Sequence, residues 1–565
     1  MADTAQADCA AASLGGDCVR QMGAGCTAVM ARAGRDPDGL VIDGDLLLLD
    51  GGLSARCRSE LRGVMQLPGA TDALLIQRAF AQWGADAALR LEGRFALVLV
   101  DRRRNCVWLL RDVLGECALY FARQGGALSA STSASTLIAA ARLPKQENAS
   151  AIAAFFALRA PRSGDSFWQG VHSVPAGECL CIGATAAQRR RQSFRCSERP
   201  AKFDSDTHAV AAWREVLRGA CERAIGDARR PAVLLSGGVD SSALAALGAG
   251  LRPDLLAVSW CLPAFPAADE SALVAATATR LGIELRTTQA GEDWPLARIG
   301  EWSVDPDAPL MNPYRWLQHG VLRQAAEQGA DVVLSGNFGD HLYPDPLPAL
   351  PALPSWQQLR HGVGRKLQAY PRVLAWLRRV ARRSAATPDW LRPEWRQRLR
   401  APAWAGPAVL SPESIQDASF GRRLVATHGL DLRYVYRDPQ VIRFMAALPS
   451  HFCQRGDCQK WITREMLRGA IPEPVRVRPK SGSLEAYFRY GMYQREAATV
   501  AELLRDRRAR WPDYLKAPRL FEALANPRDE SDLLLVWLAA SYELWWRAQA
   551  GFGPAVLASG PSSSA

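Results

Sequence analysis

Paired cysteines are absent from this 565-residue sequence, although it contains 13 cysteines. The thiols are scattered without a CxxC pair or a set spaced against histidines, and the nearest neighbours are Cys179 with Cys181 and Cys453 with Cys458. This spacing argues against a structural zinc site and against a disulfide framework. We therefore expect reduced thiols and a cytoplasmic location.

Long apolar runs are absent as well. No stretch approaches the roughly 20 apolar residues that a membrane-spanning helix needs. The first residues, MADTAQADCAAASLGG, do not place a basic start before an apolar core, so we expect neither a signal peptide nor a membrane span. The net charge of +12 favours an anionic partner, but no nucleic-acid motif accompanies it, and we expect no nucleic acid.

The chain does contain a strand, a glycine turn and a helix in direct succession at 232–247, AVLLSGGVDSSALAAL. Ala232–Leu235 has the length of one buried parallel strand, and an Ala/Leu-rich helical stretch follows the turn. Two glycines let the backbone approach an anion, and N–H groups at a helix start point towards it. A carboxylate beside phosphates, here Asp240, suits a ligand of Mg²⁺. The turn therefore predicts a site for phosphate and Mg²⁺.

This turn is not a Walker loop, because no Gly-Lys-Ser/Thr follows, and it is not a GxGxxG fingerprint. SGGVDSS resembles instead the PP-loop of the ATP pyrophosphatases, which cleave ATP between the α- and β-phosphates to make acyl-adenylates. The resemblance implies that ATP and Mg²⁺ are bound by Ser236, Gly237, Gly238, Val239, Asp240, Ser241 and Ser242. The next strand, Leu255–Trp260, is expected beside the first, with Ser259 and Trp260 offering backbone groups to adenine.

Another buried strand, Asp331–Ser335, runs into Gly336-Asn337-Phe338-Gly339-Asp340-His341-Leu342. This turn resembles Ser-Gly-x-Gly-x-Asp-Glu-Leu, a signature of the asparagine synthetase B-like family. In open α/β sheets ligands bind at the carboxyl ends of strands, so the turn should face the first one. Asp340 then becomes the second carboxylate on Mg²⁺, and the backbone of Ser335 and Gly336 is expected to hold pyrophosphate.

Asn337 stands where asparagine synthetases carry Glu and where β-lactam synthetases carry a Tyr of a base dyad. Because an amide does not accept a proton at neutral pH, another group must deprotonate an attacking amine. His341 is one candidate, and surface packing is its alternative role.

Further signatures follow in the C-terminal half. Residues 429–438 resemble Gly-x-Glu-x-Arg-x-Pro-Phe-Leu-Asp, with Arg433 and Asp438 in matching positions, and Lys460 to Arg464 resemble a Lys-x-x-x-Arg helix start. In the loop RVRPKSGS, Arg478 and Lys480 fall where the family keeps a lysine over the leaving pyrophosphate. The resemblance implies that Lys480 is catalytic, because a fixed cation there stabilises charge that develops during the reaction.

Residues 344–400 form the part least similar to the family. Between Trp356 and Arg400 there are twelve Lys or Arg against two Asp or Glu, and apolar residues recur at helical spacing. The pattern predicts a basic helical insertion whose charged face is solvated, or a wall for a peptide with acidic groups.

The N-terminal part, residues 1–190, has many short strands separated by turns, which predicts a β-rich sandwich. Residues 91–121 resemble the glutaminase domain of class II glutamine amidotransferases. That family uses a cysteine directly after the initiator Met, whereas this chain has Ala2 and its first cysteine is Cys9. The family's Asn-Gly-Glu stretch is Asp50-Gly51-Gly52, and its Asp-Thr-Glu type pocket is reduced to Thr71-Asp72-Ala73. We expect that the fold is kept as a scaffold and that glutamine hydrolysis is lost.

The predicted fold is therefore α/β: a glutaminase-type β-rich domain without its nucleophile at 1–190, a PP-loop domain with a parallel sheet and a helical C-terminal part at 200–550, and a flexible tail at 551–565. Since glutamine-derived ammonia is not expected, the amine should belong to the substrate itself.

The chain most resembles the lasso-peptide macrolactam synthetases, in which an Asp or Glu side chain of a precursor peptide is adenylated and captured by the peptide's own N-terminal amine. The resemblance implies a complex with a leader-peptide protease and a leader-binding element. The alternatives are an asparagine synthetase that uses free ammonia, a β-lactam synthetase-type cyclisation, and a binding scaffold without catalysis, against which the pair Asp240 and Asp340 argues.

Overall fold

The computed structural model describes most of the chain. The described ranges are 18–23, 26–31, 38–42, 45–124, 126–183, 187–196, 200–299, 305–343, 387–399, 407–478 and 483–551. The predicted basic helices before Thr387 and the tail after Gly551 lie outside these ranges, as does Lys480. In these ranges, no helix combines the length and apolar character needed to cross a membrane.

The N-terminal part is built on two antiparallel sheets. The strands are β1 Cys18–Gly23, β2 Cys26–Ala31, β3 Asp38–Ile42, β4 Asp45–Leu53, β5 Gly93–Asp101, β6 Cys106–Arg111, β7 Tyr120–Gln124, β8 Ala127–Ser131, β9 His172–Ser173, β10 Glu178–Gly183 and β11 Ala187–Arg191. The order β11-β10-β6-β5-β4-β3 makes the larger sheet and β8-β7-β9 the smaller one, while β1 and β2 pair separately. The two larger sheets share an apolar cluster that includes Leu109 and Phe121, so they form a sandwich.

Four helices accompany these strands: α1 Ala55–Met65, α2 Asp72–Trp83, α3 Ala134–Ala141 and α4 Ala149–Phe156. The first two cover the outer face of the large sheet, where Phe80 packs against Trp108 with ring centroids 5.3 Å apart. The sequence pattern predicts that the strand beginning at Asp45 breaks at the glycine pair, but β4 continues through Gly51 and Gly52 to Leu53. It continues because both glycines pair with Arg94 and Phe95 of β5.

The C-terminal part contains a five-stranded sheet in the order β14-β13-β12-β15-β16. Its strands are β12 Pro231–Leu234, β13 Leu256–Cys261, β14 Glu284–Gln289, β15 Val332–Ser335 and β16 Asp431–Tyr434. All neighbouring pairs are parallel, as the alternating strands and helices predict. Strands β12 and β15 lie side by side, so the two sequence signatures end at the same edge of the sheet.

Helices surround this sheet and continue beyond it. They are α5 Asp206–Ile225, α6 Val239–Leu251, α7 Ser271–Leu281, α8 Arg315–Glu327, α9 Pro393–Arg398, α10 Pro412–Ala426, α11 Pro439–Ala447, α12 Ser450–Cys453, α13 Trp461–Met466, α14 Glu473–Val477, α15 Glu485–Arg489, α16 Ala497–Arg505, α17 Ala517–Ala525 and α18 Glu530–Gln549. A short hairpin of β17 Gln454–Arg455 and β18 Cys458–Gln459 precedes α13. The Trp-rich α18 is almost wholly buried, as its composition predicts.

The two parts of the chain share buried contacts. In the apolar core, Phe156 of α4 lies edge-on to Tyr542 of α18, with ring centroids 5.3 Å apart. A polar contact joins Arg94 of β5 to Asp431 of β16 at 2.9 Å. Burial works against ionisation of Asp431, but Arg94 and Arg422 hold its pKa well below the usual range. The larger N-terminal sheet therefore contacts β16, the edge strand of the parallel sheet.

Candidate functional site

The first turn follows β12 and leads into α6. Gly238 precedes α6 without a side-chain cap, so no capping side chain covers the N–H groups of the first helical turn. Gly237 has a φ of +71°, in the left-handed region that glycine adopts freely. The Ser236 backbone N–H donates to Ser241 Oγ at 3.1 Å, which folds the turn onto the helix start. Uncapped N–H groups beside a tight glycine turn suit an anion.

The second turn follows β15 and packs against the first. A Cβ atom added at Gly336 would lie 3.1 Å from the backbone nitrogen of Ser241, and one added at Gly339 would lie 2.6 Å from Cγ of Asp240. Glycine at both positions is therefore what allows the two turns to approach at backbone distance. Ser335 is buried and shapes the turn, because its Oγ accepts from the Asn337 N–H at 3.1 Å.

Asp240 and Asp340 meet at one side chain, Lys460. Its Nζ lies 2.5 Å from Asp340 Oδ1 and also pairs with Asp240 Oδ2. Burial alone would lower the pKa of Lys460, but the two carboxylates outweigh it and raise the pKa. The Tyr436 hydroxyl donates to the backbone oxygen of Asp240 at 3.1 Å and fixes the start of α6. Two carboxylates from adjacent strand ends thus share the Lys460 ammonium group.

A cavity of about 550 Å³ opens over these groups. On the β13 side it is lined by Glu270 and Arg478, which pair at 2.7 Å. Burial raises the pKa of Glu270, and the opposing effect of Arg478 is smaller. On the β16 side the lining includes Phe338, Phe420 and Tyr434, which we call the aromatic wall. Because β13 and β16 lie on opposite sides of the central pair of strands, the cavity has two chemically different sides.

Asp417 of α10 stands beside the aromatic wall. Its side chain is accessible from the cavity although protein surrounds it, and this burial, together with Glu413, raises its pKa to about 6. With the described part of the chain Asp417 makes no hydrogen bond or ion pair, whereas His341 Nδ1 lies 2.9 Å from Ser414 Oγ. The cavity therefore presents a carboxylate whose pKa lies above its usual range.

The structure brings most of the sequence-predicted residues to this cavity. Those that line it are Ser236, Gly237, Gly238, Val239, Asp240, Ser241, Gly336, Asp340 and His341. Four others are not among its lining residues: Ser242, Ser259, Trp260 and Ser335. Ser242 is fully buried in α6, and Ser259 and Trp260 lie within β13.

Several lining residues were missing from the sequence-based site. Lys460 belonged to a recognised Lys-x-x-x-Arg helix start, so a signal for it existed. Glu270 and Asp417 carried no local signal, because each reaches the cavity only through the packing of a helix against the sheet. Arg433 and Asp438, in contrast, form ion pairs with Asp431 and Arg223 and are not among the residues that line the cavity.

In the region that corresponds to the glutamine pocket, the Asp72 carboxylate is engaged by other groups of the protein. Asp72 Oδ2 accepts from the Leu53 N–H at 2.8 Å, and the same carboxylate forms a two-point ion pair with Arg58 at 2.5 and 2.9 Å. Residues 1–17, which include Ala2 and Cys9, lie outside the described ranges. Within the described ranges, no group of three or more His, Cys, Asp or Glu side chains is placed to hold a metal.

Two family models match this chain. The asparagine synthase model matches residues 212–547, and the glutamine amidotransferase domain model matches residues 55–194.

Curated relatives match it in part. The carboxyethyl-arginine beta-lactam-synthase of Streptomyces clavuligerus is 33% identical over 305 residues, which are 52% of this chain and 56% of that protein. Amidase chyE of Penicillium rubens is 24% identical over 50% of this chain and 44% of its own length. A glutamine-hydrolyzing asparagine synthetase of Bacillus subtilis is 25% identical over 38% of this chain and 36% of its own length. The chain thus spans about half the length of these relatives or less.

Proposed function

The chain belongs to the asparagine synthase family, and we propose that it is a ligase that activates a carboxylate with ATP and joins it to an amine. Relatives in this family are ATP-dependent amide-forming ligases. The observation that carries the proposal is the meeting of Asp240 and Asp340 on Lys460, at the edge of the sheet where the uncapped start of α6 offers backbone N–H groups.

The proposed reaction has two steps. A carboxylate oxygen of the substrate attacks the α-phosphorus of ATP, the bond to the β-phosphate bridge breaks, and pyrophosphate leaves. An amine nitrogen then attacks the activated carbonyl carbon, the bond to AMP breaks, and the nitrogen gives up one proton. We assign the phosphates to the turn of Ser236, Gly237, Gly238 and Ser241 and the leaving pyrophosphate to Gly336.

Asp240 and Asp340 fit Mg²⁺, because a pair of carboxylates facing a phosphate site is the oxygen donor set that this ion takes up together with phosphates. The ion would neutralise charge on the departing pyrophosphate. Lys460 holds the two carboxylates together, since without a cation between them they would repel each other. We keep Lys480 as the cation proposed for the transition state, on the resemblance of its loop.

We propose that Asp417, rather than His341, accepts the proton of the attacking amine. Asp417 is accessible in the cavity and its pKa of about 6 leaves it ionised at neutral pH while keeping it basic enough to accept a proton. His341 already contacts Ser414 Oγ and the ring of Phe338.

The substrate that we propose is a peptide that supplies both groups, so that an Asp or Glu side chain closes a macrolactam with the N-terminal amine. Asp72 is engaged with Arg58 rather than open to a ligand, which supports an amine that does not come from glutamine. Asn337 stands in place of the Tyr of β-lactam synthetases, which argues for a peptide over that small-molecule cyclisation. A leader-peptide protease and a leader-binding element are the proposed partners. The second candidate is β-lactam formation, which the relative at 33% identity favours.

ATP–pyrophosphate exchange tests this function. The purified chain is incubated with ATP, Mg²⁺ and labelled pyrophosphate, and with free aspartate, carboxyethyl-arginine or short peptides that carry one Asp or Glu and a free N-terminus. Exchange with the peptides and formation of a product lighter by one water are expected. Exchange with carboxyethyl-arginine alone would favour the second candidate, and no exchange with any carboxylate would refute the proposed function.

A further inference from the structure

Two departures from the family signatures contact each other at the cavity. The signature Ser-Gly-x-Gly-x-Asp-Glu-Leu has glycine where this chain has Phe338, and Gly-x-Glu-x-Arg-x-Pro-Phe-Leu-Asp has leucine where this chain has Arg437. The guanidinium carbon of Arg437 lies 4.9 Å from the centroid of the Phe338 ring. The two positions are 99 residues apart in the chain, so their contact is a property of the fold.

Phe338 occupies a backbone conformation that suits glycine. Its φ is +70°, in the left-handed region that a bulky side chain rarely adopts. Phe338 lines the cavity together with Gly336 and Asp340, and its ring centroid lies 4.9 Å from that of Tyr434 and 5.4 Å from that of His341. Strain of this kind beside a ligand cavity is typical of residues with a functional role.

The guanidinium of Arg437 packs over the Phe338 ring and is itself held by several contacts. It is fully buried, and it donates to the backbone oxygens of Val409 at 2.6 Å and Leu114 at 2.5 Å. Its Nε lies 3.4 Å from Glu116. Leu114 and Glu116 belong to the loop after β6, so the N-terminal part of the chain fixes the arginine that packs on Phe338. A fixed guanidinium over an aromatic face favours one position of the ring.

We infer that Phe338 is a specificity-determining residue that fills the space a glycine would leave open beside Asp340, and that Arg437 is its positioning residue. The inference rests on the proposed function and names the class of carboxylate that the site takes. A free amino acid such as aspartate cannot occupy the space that Phe338 fills, and it is too small to bury much surface against the aromatic wall. A carboxylate carried on a larger and partly apolar peptide gains by packing against Phe338, Phe420 and Tyr434.

The test measures, on the full chain, the ratio of the exchange rate with peptides to the exchange rate with free aspartate. ATP–pyrophosphate exchange is compared for free L-aspartate and for peptides with one Asp or Glu, in the wild type and in Phe338→Gly. We expect the wild type to prefer the peptides and Phe338→Gly to shift the ratio towards aspartate by at least tenfold. Arg437→Leu should shift the ratio in the same direction by a smaller factor, and Arg437→Lys, which keeps the cation, should recover part of the preference.

The double variant separates positioning from general damage. If Arg437 acts through Phe338, then Arg437→Leu adds nothing to the substrate ratio in the Phe338→Gly background. Phe121→Ala, which removes a half-buried ring in the N-terminal sandwich, is the control and should leave the ratio unchanged. If Phe338→Gly does not fold, Phe338→Asn replaces it, because asparagine tolerates a φ of +70° and also removes the bulk of the ring.

Two results overturn the inference. An unchanged ratio in the Phe338 variants, with exchange intact in the wild type, refutes the specificity role while leaving the ligase function in place. An equal effect of Arg437→Leu in both backgrounds refutes the positioning role. Failure of the wild type to exchange with any carboxylate refutes the ligase function first and the inference with it.

Discussion

Two regions of this chain place glycine next to aspartate at a strand end, and they use the carboxylate in opposite ways. At the parallel sheet, Asp240 and Asp340 project towards a cavity and share Lys460. In the N-terminal sandwich, Asp72 turns inward beside Gly52 to bind the Leu53 N–H and Arg58. The Asp340 side chain is 49% exposed and the Asp72 side chain 10%.

The two regions differ in the groups that bind each carboxylate. Both oxygens of Asp72 are engaged by a rigid guanidinium and a backbone N–H, and these three hydrogen bonds hold the carboxylate in an internal contact. Asp240 and Asp340 both pair with a lysine, a point charge on a flexible stem that can move when another cation arrives. A retained fold with a glycine-aspartate pair is thus not enough to define a binding site.

The largest effect should come from removing the charge of one aspartate in each region. We expect Asp240→Asn to lower ATP–pyrophosphate exchange by about 10³-fold, because it removes a charge from the proposed Mg²⁺ site. Asp72→Asn, the matched variant in the sandwich, should change exchange less than about twofold but cost roughly 1–2 kcal/mol of stability through loss of its ion pair. Exchange rates and urea unfolding measure the two effects, and a loss of exchange in Asp72→Asn would contradict the comparison.

Lys460→Met should have the next largest effect. Without the ammonium, the two carboxylates repel each other in the nucleotide-free protein and attract a free divalent cation. We expect exchange to fall by about 10²-fold and Mn²⁺ binding in the absence of ATP, followed by electron paramagnetic resonance, to become tighter. Arg58→Met is the control, since it removes the cation from Asp72 and should leave Mn²⁺ binding unchanged. Weaker Mn²⁺ binding in Lys460→Met would argue against a shared cation site.

The sequence was sufficient for the parts of this comparison that depend on local patterns. The strand, glycine turn and helix around Asp240 predicted the first turn, and the topology rule for parallel sheets predicted that the Asp340 turn would face it. The sequence could not predict Glu270 or Asp417 as lining residues, because their positions depend on how α7 and α10 pack. It also could not predict that Ser242 and Ser335 turn into the protein. The side-chain pairing of Asp72 with Arg58 carried no local signal either.

A third prediction separates the two steps of the proposed reaction. Asp417→Asn should lower the rate of amide formation by about 10²-fold and leave ATP–pyrophosphate exchange nearly unchanged, because the base is needed only after the adenylate forms. In the wild type, amide formation should be at half its maximum near pH 6 and fall further as the pH drops, since the pKa of Asp417 is about 6 and its protonated form accepts no proton. His341→Gln provides the comparison variant. Loss of the pH dependence in His341→Gln rather than in Asp417→Asn would move the role to His341.

The smallest effect concerns acid stability, which should differ between the two regions. Arg315 Nε donates to His319 Nε2 at 2.9 Å, and His319 Nδ1 lies 2.7 Å from His428 Nε2, so the pair joins α8 to the segment that follows α10. Burial first, and then Arg315 and His428, lower the pKa of His319 to about 3.

The direction of the effect follows from this shift. An unfolded histidine has a pKa of about 6.5, so below that pH the unfolded chain binds protons that the folded pair resists. The stability contributed by the neutral pair is therefore complete above pH 6.5 and is lost progressively as the pH falls, on the order of 1 kcal/mol by pH 5. Hydrogen-exchange protection, corrected for the intrinsic pH dependence of amide exchange, should be lower at pH 5 than at pH 7 in α8 and α10 and should change little in α1 and α2. His319→Gln should remove the difference, and an equal loss of protection in all four helices would show that acid acts on the whole molecule instead.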